Sequence, residues 1–193
     1  MDLLTALKER RSIRKFQQKP VPREVLTALV DCARLAPYPA NVQPLKFAVV
    51  HEPEMLYNVF TCTKWAGYLK DGAPTPDERP TAYIAVLGDR SIKNSDNFGV
   101  ETGAAGMAIT LAALDYGLGS CWLGALNRDR LAELFQLPDT LVVLDMIALG
   151  YPAQKSTAVP MEQGNVRYYL DENNDIKVPK RALGDVLYNV KQS

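Results

Sequence analysis

Three short apolar runs, at residues 45–50, 82–87 and 141–149, alternate with stretches in which apolar residues recur every three to four positions. Each run is too short for a core helix and rich in residues that suit a pleated surface, so each reads as a buried strand. Glu52-Pro53 closes the first and Gly88-Asp89 the second. A chain that alternates such strands with amphipathic stripes folds as α/β or α+β, with a sheet covered by helices.

The intervening periods predict the helices. Leu3, Leu4 and Leu7 share a helical stripe that leads into a basic turn. From Pro22, a favourable first helical residue, Val25, Leu26, Leu29, Val30 and Ala33 form a second stripe, which Pro37 and Pro39 stop. Residues 54–63 and 129–135 predict shorter helices, and 97–116 the longest. That long helix carries Gly103, Ala104, Ala105, Gly106, Ala108, Ala112 and Ala113. Small side chains admit a neighbouring backbone, although each glycine costs a helix roughly 1 kcal/mol, so a central place at a dimer seam is expected. Residues 168–178 predict a hairpin around Asn173-Asn174, and 183–190 a closing amphipathic helix. Residues 66–81 mix Gly, Pro and charge without a period and read as a surface loop or lid.

Composition narrows the function. A length of 193 residues with 47% apolar content suits one domain, 1–193, with a substantial core. Lys plus Arg and Asp plus Glu both number 22, so no whole-molecule field draws the chain to nucleic acid or to a membrane. No apolar run approaches the roughly 20 residues that span a bilayer, and the N-terminus lacks a signal-peptide core, which points to the cytoplasm. Cys32, Cys62 and Cys121 are odd in number and lack metal-ligand spacing, so free thiols and no metal site are expected. His51 is the only histidine, and no GxSxG elbow, GxGxxG fingerprint or P-loop is present. No catalytic side chain is therefore expected, and any hard chemistry would come with a cofactor.

Four local motifs have a chemical reading. Arg10-Arg11-Ser12-Ile13-Arg14 offers three guanidinium groups and a hydroxyl, which suit a phosphate monoester or else a solvated basic helix end. In Ala36-Pro37-Tyr38-Pro39-Ala40-Asn41-Val42-Gln43-Pro44, two amides sit in a stiff turn and would bond either a planar heterocycle or the turn itself. Gly119-Ser120-Cys121-Trp122-Leu123-Gly124 would bring a backbone N–H near a ligand face, or form a tight turn with Trp122 in the core. Lys180-Arg181 follows Pro179 and by itself reads as a surface pair.

Taken in order and spacing over nearly the whole chain, these motifs resemble the FMN-dependent nitroreductase family. The resemblance implies a three-layer α/β/α fold of the α+β class, with a mainly antiparallel central sheet in an intertwined homodimer. FMN would lie at each end of the interface, and NAD(P)H would be the electron donor in a ping-pong hydride transfer. Nitroaromatics, quinones or similar planar small molecules would be the acceptors. Dehalogenation or dehydrogenation of a specific metabolite, and flavin binding without catalysis, are the alternatives. Arg10, Arg11, Ser12 and Arg14 would hold the flavin phosphate and ribityl chain, with Lys180 and Arg181 reaching the same phosphate. The partner subunit's turn would bring Pro37, Tyr38, Asn41 and Gln43 to the ring, and Leu123 and Gly124 would lie along its other side. Trp65 and Tyr68, in the variable 64–80 stretch, would stack over the flavin or pack the loop to the body. Two departures stand out: Pro39 has no N–H to donate, and Leu45 replaces a common tryptophan.

Overall fold

In the computed structural model, which describes residues 2–70 and 72–188, the three apolar runs are strands of one antiparallel sheet. They are β1 (Leu45–Val50), β2 (Ala82–Asp89) and β4 (Leu141–Gly150), joined by β3 (Gly119–Leu123) in the order β1-β2-β4-β3. The helices are α1 (Leu3–Glu9), α2 (Arg23–Arg34), α3 (Pro53–Thr61), α4 (Gly99–Asp115), α5 (Arg128–Leu134) and α6 (Leu183–Val186). None of the described helices is long and apolar enough to cross a membrane.

Alternation along the strands divides the core in two. Ile84, Val86, Ile147 and Leu149 face Leu26, Leu29 and Ala33 of α2 and Ala105, Ile109 and Ala113 of α4. Tyr83, Ala85, Leu87, Met146 and Ala148 face the other way, towards Val59 of α3 and Leu131 of α5. Three layers result. β2 is buried at every position, which is why it reads as a continuous apolar run rather than an alternating one. Each large aliphatic side chain fully buried here contributes about 1.5–3 kcal/mol of transfer free energy.

One extra residue in β4 shapes the sheet near Trp122. Val86 pairs with Asp145 and Leu87 with Val143, so Leu144 is left unmatched in a bulge. Beyond it the Asp145 carboxylate takes a hydrogen bond from Trp122, on the α4 side of the sheet. The Trp122 ring lies directly over Gly106 of α4, where a Cβ would collide with it.

Several expectations need correction. β2 does not end at Gly88-Asp89 but runs through them, because Gly88 pairs with both Leu45 and Val142. The closing helix stops at Val186, with Leu187 already extended, and Val190 lies outside the described residues. Its apolar residues Leu183, Val186 and Leu187 are 71%, 61% and 59% exposed, and so short a helix without packing is marginal. The predicted hairpin is present as β6 (Tyr169–Leu170) and β7 (Ile176–Lys180), turning through Asn174 at φ 60. An unforeseen strand, β5 (Ser156–Pro160), runs parallel to β7 and completes a second, three-stranded sheet. Ser156-Thr157-Ala158-Val159-Pro160 has neither an apolar run nor a period, so only its pairing makes it a strand.

Gly106→Ala is expected to cost about 1–3 kcal/mol, the usual range for overpacking, and to shift the Trp122 fluorescence; an unchanged melt and spectrum would contradict the packing. Cys32 is exposed whereas Cys62 and Cys121 are buried, so a thiol reagent should modify Cys32 alone until denaturant exposes the other two.

Candidate active site

Arg10 caps α1 with φ -53 and ψ 124, so the chain leaves the helix extended rather than as a basic helical turn. Residues 12–17 then run beside the open edge of β3. Ser12 bridges Ser120, and the Ile13 N–H donates to the Ser120 carbonyl at 2.9 Å. Farther along, the Gln17 N–H donates to Tyr151 at 2.8 Å and the Ala153 N–H to Lys15 at 2.9 Å. Two glycines admit this approach. A Cβ on Gly119 would lie 2.8 Å from Ile13, and one on Gly150 would lie 2.9 Å from the wholly buried Phe16.

One terminal nitrogen of Arg11 donates to the Arg10 carbonyl, but other guanidinium nitrogens of this basic stretch lack acceptors. Nε of Arg10, Nε of Arg11 and one terminal nitrogen of Arg14 are buried without a hydrogen-bond partner. Among the described residues no carboxylate forms an ion pair with any of the three. Burial and then the Arg11 charge hold the Arg10 pKa below its ordinary value. More than 90% of buried polar groups find a partner, so an orphaned set of cationic donors fits a ligand with several anionic oxygens. Cys121 lies close enough to feel Arg14 and Arg10, yet burial dominates and pushes its thiol up to about 11. That thiol is a poor nucleophile near neutrality.

The unpaired donors continue into residues the sequence did not single out. Glu78 is strapped to the basic segment by the Phe16 N–H at 2.9 Å and by an ion pair to Lys15 at 2.8 Å. The next residue, Arg79, has a buried, unpartnered Nε and lies 4.2 Å over the Phe60 ring. The Tyr83 hydroxyl is likewise buried without a partner, and burial raises its pKa. The Glu78-Arg79 end of the expected lid is therefore pinned, by contacts that no local pattern in 66–81 announces.

Arg14 is held from two sides. Its N–H donates to Gln154 Oε1 at 3.0 Å, and its guanidinium lies 4.4 Å over the Tyr168 ring. Tyr168 meets Tyr68 at 5.0 Å between centroids, and Arg167 sits 5.6 Å over Tyr68. Tyr68 is thus on the same side as Arg14. Trp65 instead stacks on Phe60 at 6.0 Å and donates its indole N–H to Thr63 at 2.8 Å, so it anchors the loop to the body.

The turn from Pro37 to Gln43 is strained. Ala40, Asn41 and Gln43 have φ of 49, 54 and 53, a region that asparagine tolerates but alanine and glutamine rarely enter. Backbone of this kind costs about 1–3 kcal/mol per residue and clusters at ligand clamps. Tyr38 steadies it by donating to the Ala33 carbonyl at 3.0 Å; burial and then the Glu101 charge raise its pKa and keep it protonated. The Gln43 amide donates to the Asn41 carbonyl at 3.2 Å, while the Asn41 side chain is exposed. Among the described residues nothing joins this turn to the basic segment by a hydrogen bond, ion pair or ring contact.

Leu123 is buried, and Gly124, at the end of β3, is exposed, its carbonyl accepting from Arg128 at 3.1 Å. A Cβ there would come within 3.3 Å of Asp145, whose pKa burial raises. Lys180 and Arg181 are exposed at the end of β7, and among the described residues neither side chain has a hydrogen-bond or ion-pair partner. The chain therefore gathers unpartnered cationic donors around Arg14, and among the described residues no hydrogen bond, ion pair or ring contact joins the Asn41 turn to them.

Comparison with known proteins finds relatives over most of the chain. A curated relative from Methanothermobacter thermautotrophicus, provisionally named NADH dehydrogenase/NAD(P)H nitroreductase, is 35% identical over 159 residues, covering 80% of this chain and 79% of its own length. An FMN-dependent nitroreductase from Clostridium difficile R20291 superposes with a TM-score of 0.67 at 26% identity, over 80% of this chain and 90% of that one. A nitroreductase-like protein from Desulfovibrio desulfuricans, solved with FMN, has the same fold with a TM-score of 0.71 at 24% identity, over 100% of this chain and 99% of that one. The profile of the nitroreductase family matches residues 7–151, which take in the basic segment, the strained turn and all four strands of the main sheet, and the chain belongs to that family.

Proposed function

We propose that the chain is an FMN-dependent NAD(P)H oxidoreductase that reduces nitroaromatic, quinone or similar planar acceptors. The observation that carries the reading is the set of buried guanidinium nitrogens on Arg10, Arg11 and Arg14 that lack any acceptor. A flavin phosphate supplies the anionic oxygens such a set requires, and planar guanidinium forks suit it better than point charges. When bound, FMN would take hydride from NAD(P)H and pass it to the acceptor in a separate, ping-pong half-reaction.

This chain's residues would bind, orient and shield. Arg10, Arg11, Ser12 and Arg14 hold the phosphate end, with Lys180 and Arg181 contributing positive charge from the second sheet. Leu123 and Gly124 line one side of the ring, the glycine leaving its backbone accessible. Pro37, Tyr38, Asn41 and Gln43 serve the other side from a second copy, since among the described residues no hydrogen bond, ion pair or ring contact joins their turn to the basic segment. Tyr68, beside Arg14 through Tyr168, belongs to the acceptor side.

An apolar surface supports the homodimer. Leu3 and Leu4 of α1 are 66% and 67% exposed, Val100 of α4 is 66% exposed, and α1 packs against α4. Exposed apolar residues on two helices that pack together suit an association surface. Residues 1–193 are read as one domain, because Gln154 and Tyr168 tie the second sheet to Arg14. A reduced thiol set and a need for NAD(P)H suit the cytoplasm.

The purified chain is expected to be a yellow dimer whose visible flavin absorbance bleaches on anaerobic addition of NADH or NADPH. A colourless protein that takes up no FMN would sink the reading. Arg14→Ala should weaken FMN binding about 10- to 100-fold, from the roughly 1.5–3 kcal/mol of a charge-assisted hydrogen bond. Unchanged affinity in that variant would remove Arg14 from the phosphate site.

A further inference from the structure

We propose that Tyr168 is the positioning residue that fixes the Arg14 guanidinium for the cofactor phosphate, an inference that rests on the flavin reading above. Arg14 has a long side chain and, among the described residues, no carboxylate to hold it. What fixes it is the Tyr168 ring, 4.4 Å beneath its central carbon, together with the bond from its backbone N–H to Gln154. The buried, unpartnered terminal nitrogen stays available in this arrangement. A guanidinium stacks through its face and donates through its edge, so a ring steadies it without consuming the donors a phosphate needs. An aspartate or glutamate in the same place would occupy that edge and cancel the charge.

Tyr168 is itself braced. Its ring lies 5.0 Å from Tyr68 at an interplanar angle of 53°, and its hydroxyl accepts from the Tyr68 N–H at 3.5 Å. With Arg167 over Tyr68 at 5.6 Å, a pair of rings is flanked by two cations in the order Arg14, Tyr168, Tyr68, Arg167. The stack links the basic segment, the 64–80 stretch and the second sheet. Tyr168 lies beyond the 7–151 span that the family profile matches, so this brace comes from the C-terminal part of the chain. The same stacking keeps the Tyr68 ring beside the phosphate end rather than free in the loop.

The test measures dissociation constants for FMN and for riboflavin, which lacks the phosphate, by flavin fluorescence with the 193-residue chain and its variants. Tyr168→Ala should weaken FMN about tenfold, which is about 1.4 kcal/mol, and leave riboflavin unmoved. Tyr168→Phe, which keeps the ring, should stay within about twofold of wild type, and Tyr168→Leu, which keeps the bulk, should behave like Tyr168→Ala. Against an Arg14→Ala background Tyr168→Ala should add nothing, because the two act as a unit. An unmoved FMN-to-riboflavin ratio, equal loss of both ligands, or additive effects in the double variant would overturn this role. Should Tyr168→Ala fail to fold, the Phe and Leu variants carry the same comparison. A wild-type chain that binds neither flavin overturns the flavin reading and this role with it, whereas wild-type uptake with an unmoved ratio in the variants overturns this role alone.

Discussion

The close approach of residues 12–17 to the sheet is the constraint on which the rest of the candidate site depends. Backbone hydrogen bonds to Ser120, Tyr151 and Ala153 hold the segment, and Gly119 and Gly150 give it room. Because the main chain does the anchoring, the side chains of Arg10, Arg11 and Arg14 are not spent on it. Had the same sequence continued α1 as a helix, its arginines would have splayed into solvent and found counter-ions there. With the chain extended beyond Arg10, they are drawn partly inside, each with a buried nitrogen left unfilled.

The strained turn between α2 and β1 is the complementary feature. Positive φ at Ala40, Asn41 and Gln43 is an unfavourable local choice that the surrounding structure enforces through Pro39, Pro44 and the Tyr38 hydrogen bond. Its stiffness means that Asn41 is presented at a set angle, without a hinge to adjust it. In the proposed dimer the accuracy of the ring contacts would then depend on how the two copies dock, through the face formed by α1 and α4. Catalytic geometry and assembly would share one determinant.

Much of this was legible in the residues, and the remainder was not for identifiable reasons. β1 and β4 announce themselves as short apolar runs, because a strand in a sheet covered on both faces takes apolar residues at successive positions, and the α2 stripe by its helical period, with Pro or Gly punctuating them. The Arg10–Arg14 motif is local, so its chemistry could be read without a fold. β5 could not be, since a strand made of Ser, Thr, Ala, Val and Pro exists only through its partner β7. Nor could the contact of Tyr168 with Arg14, because a cation–ring pair between distant segments leaves no spacing to detect. Trp65 was ambiguous as an isolated aromatic, and the structure commits it to Phe60 and Thr63. The exposed α6 stripe shows the opposite failure: a real period that among the described residues is left without a buried face.

The unfilled guanidinium donors have a thermodynamic consequence. Buried cations left without acceptors make the folded state less stable than it would be with them satisfied, and the unfolded chain, hydrated throughout, feels no such penalty. A ligand that fills the site therefore binds the native state and not its competitor, and the folding equilibrium shifts with the logarithm of ligand concentration. If the proposed site at Arg14 takes its anion, folding and cofactor supply form one linked balance, in which the fraction of chain that survives proteolysis would rise and fall with the pool of that anion.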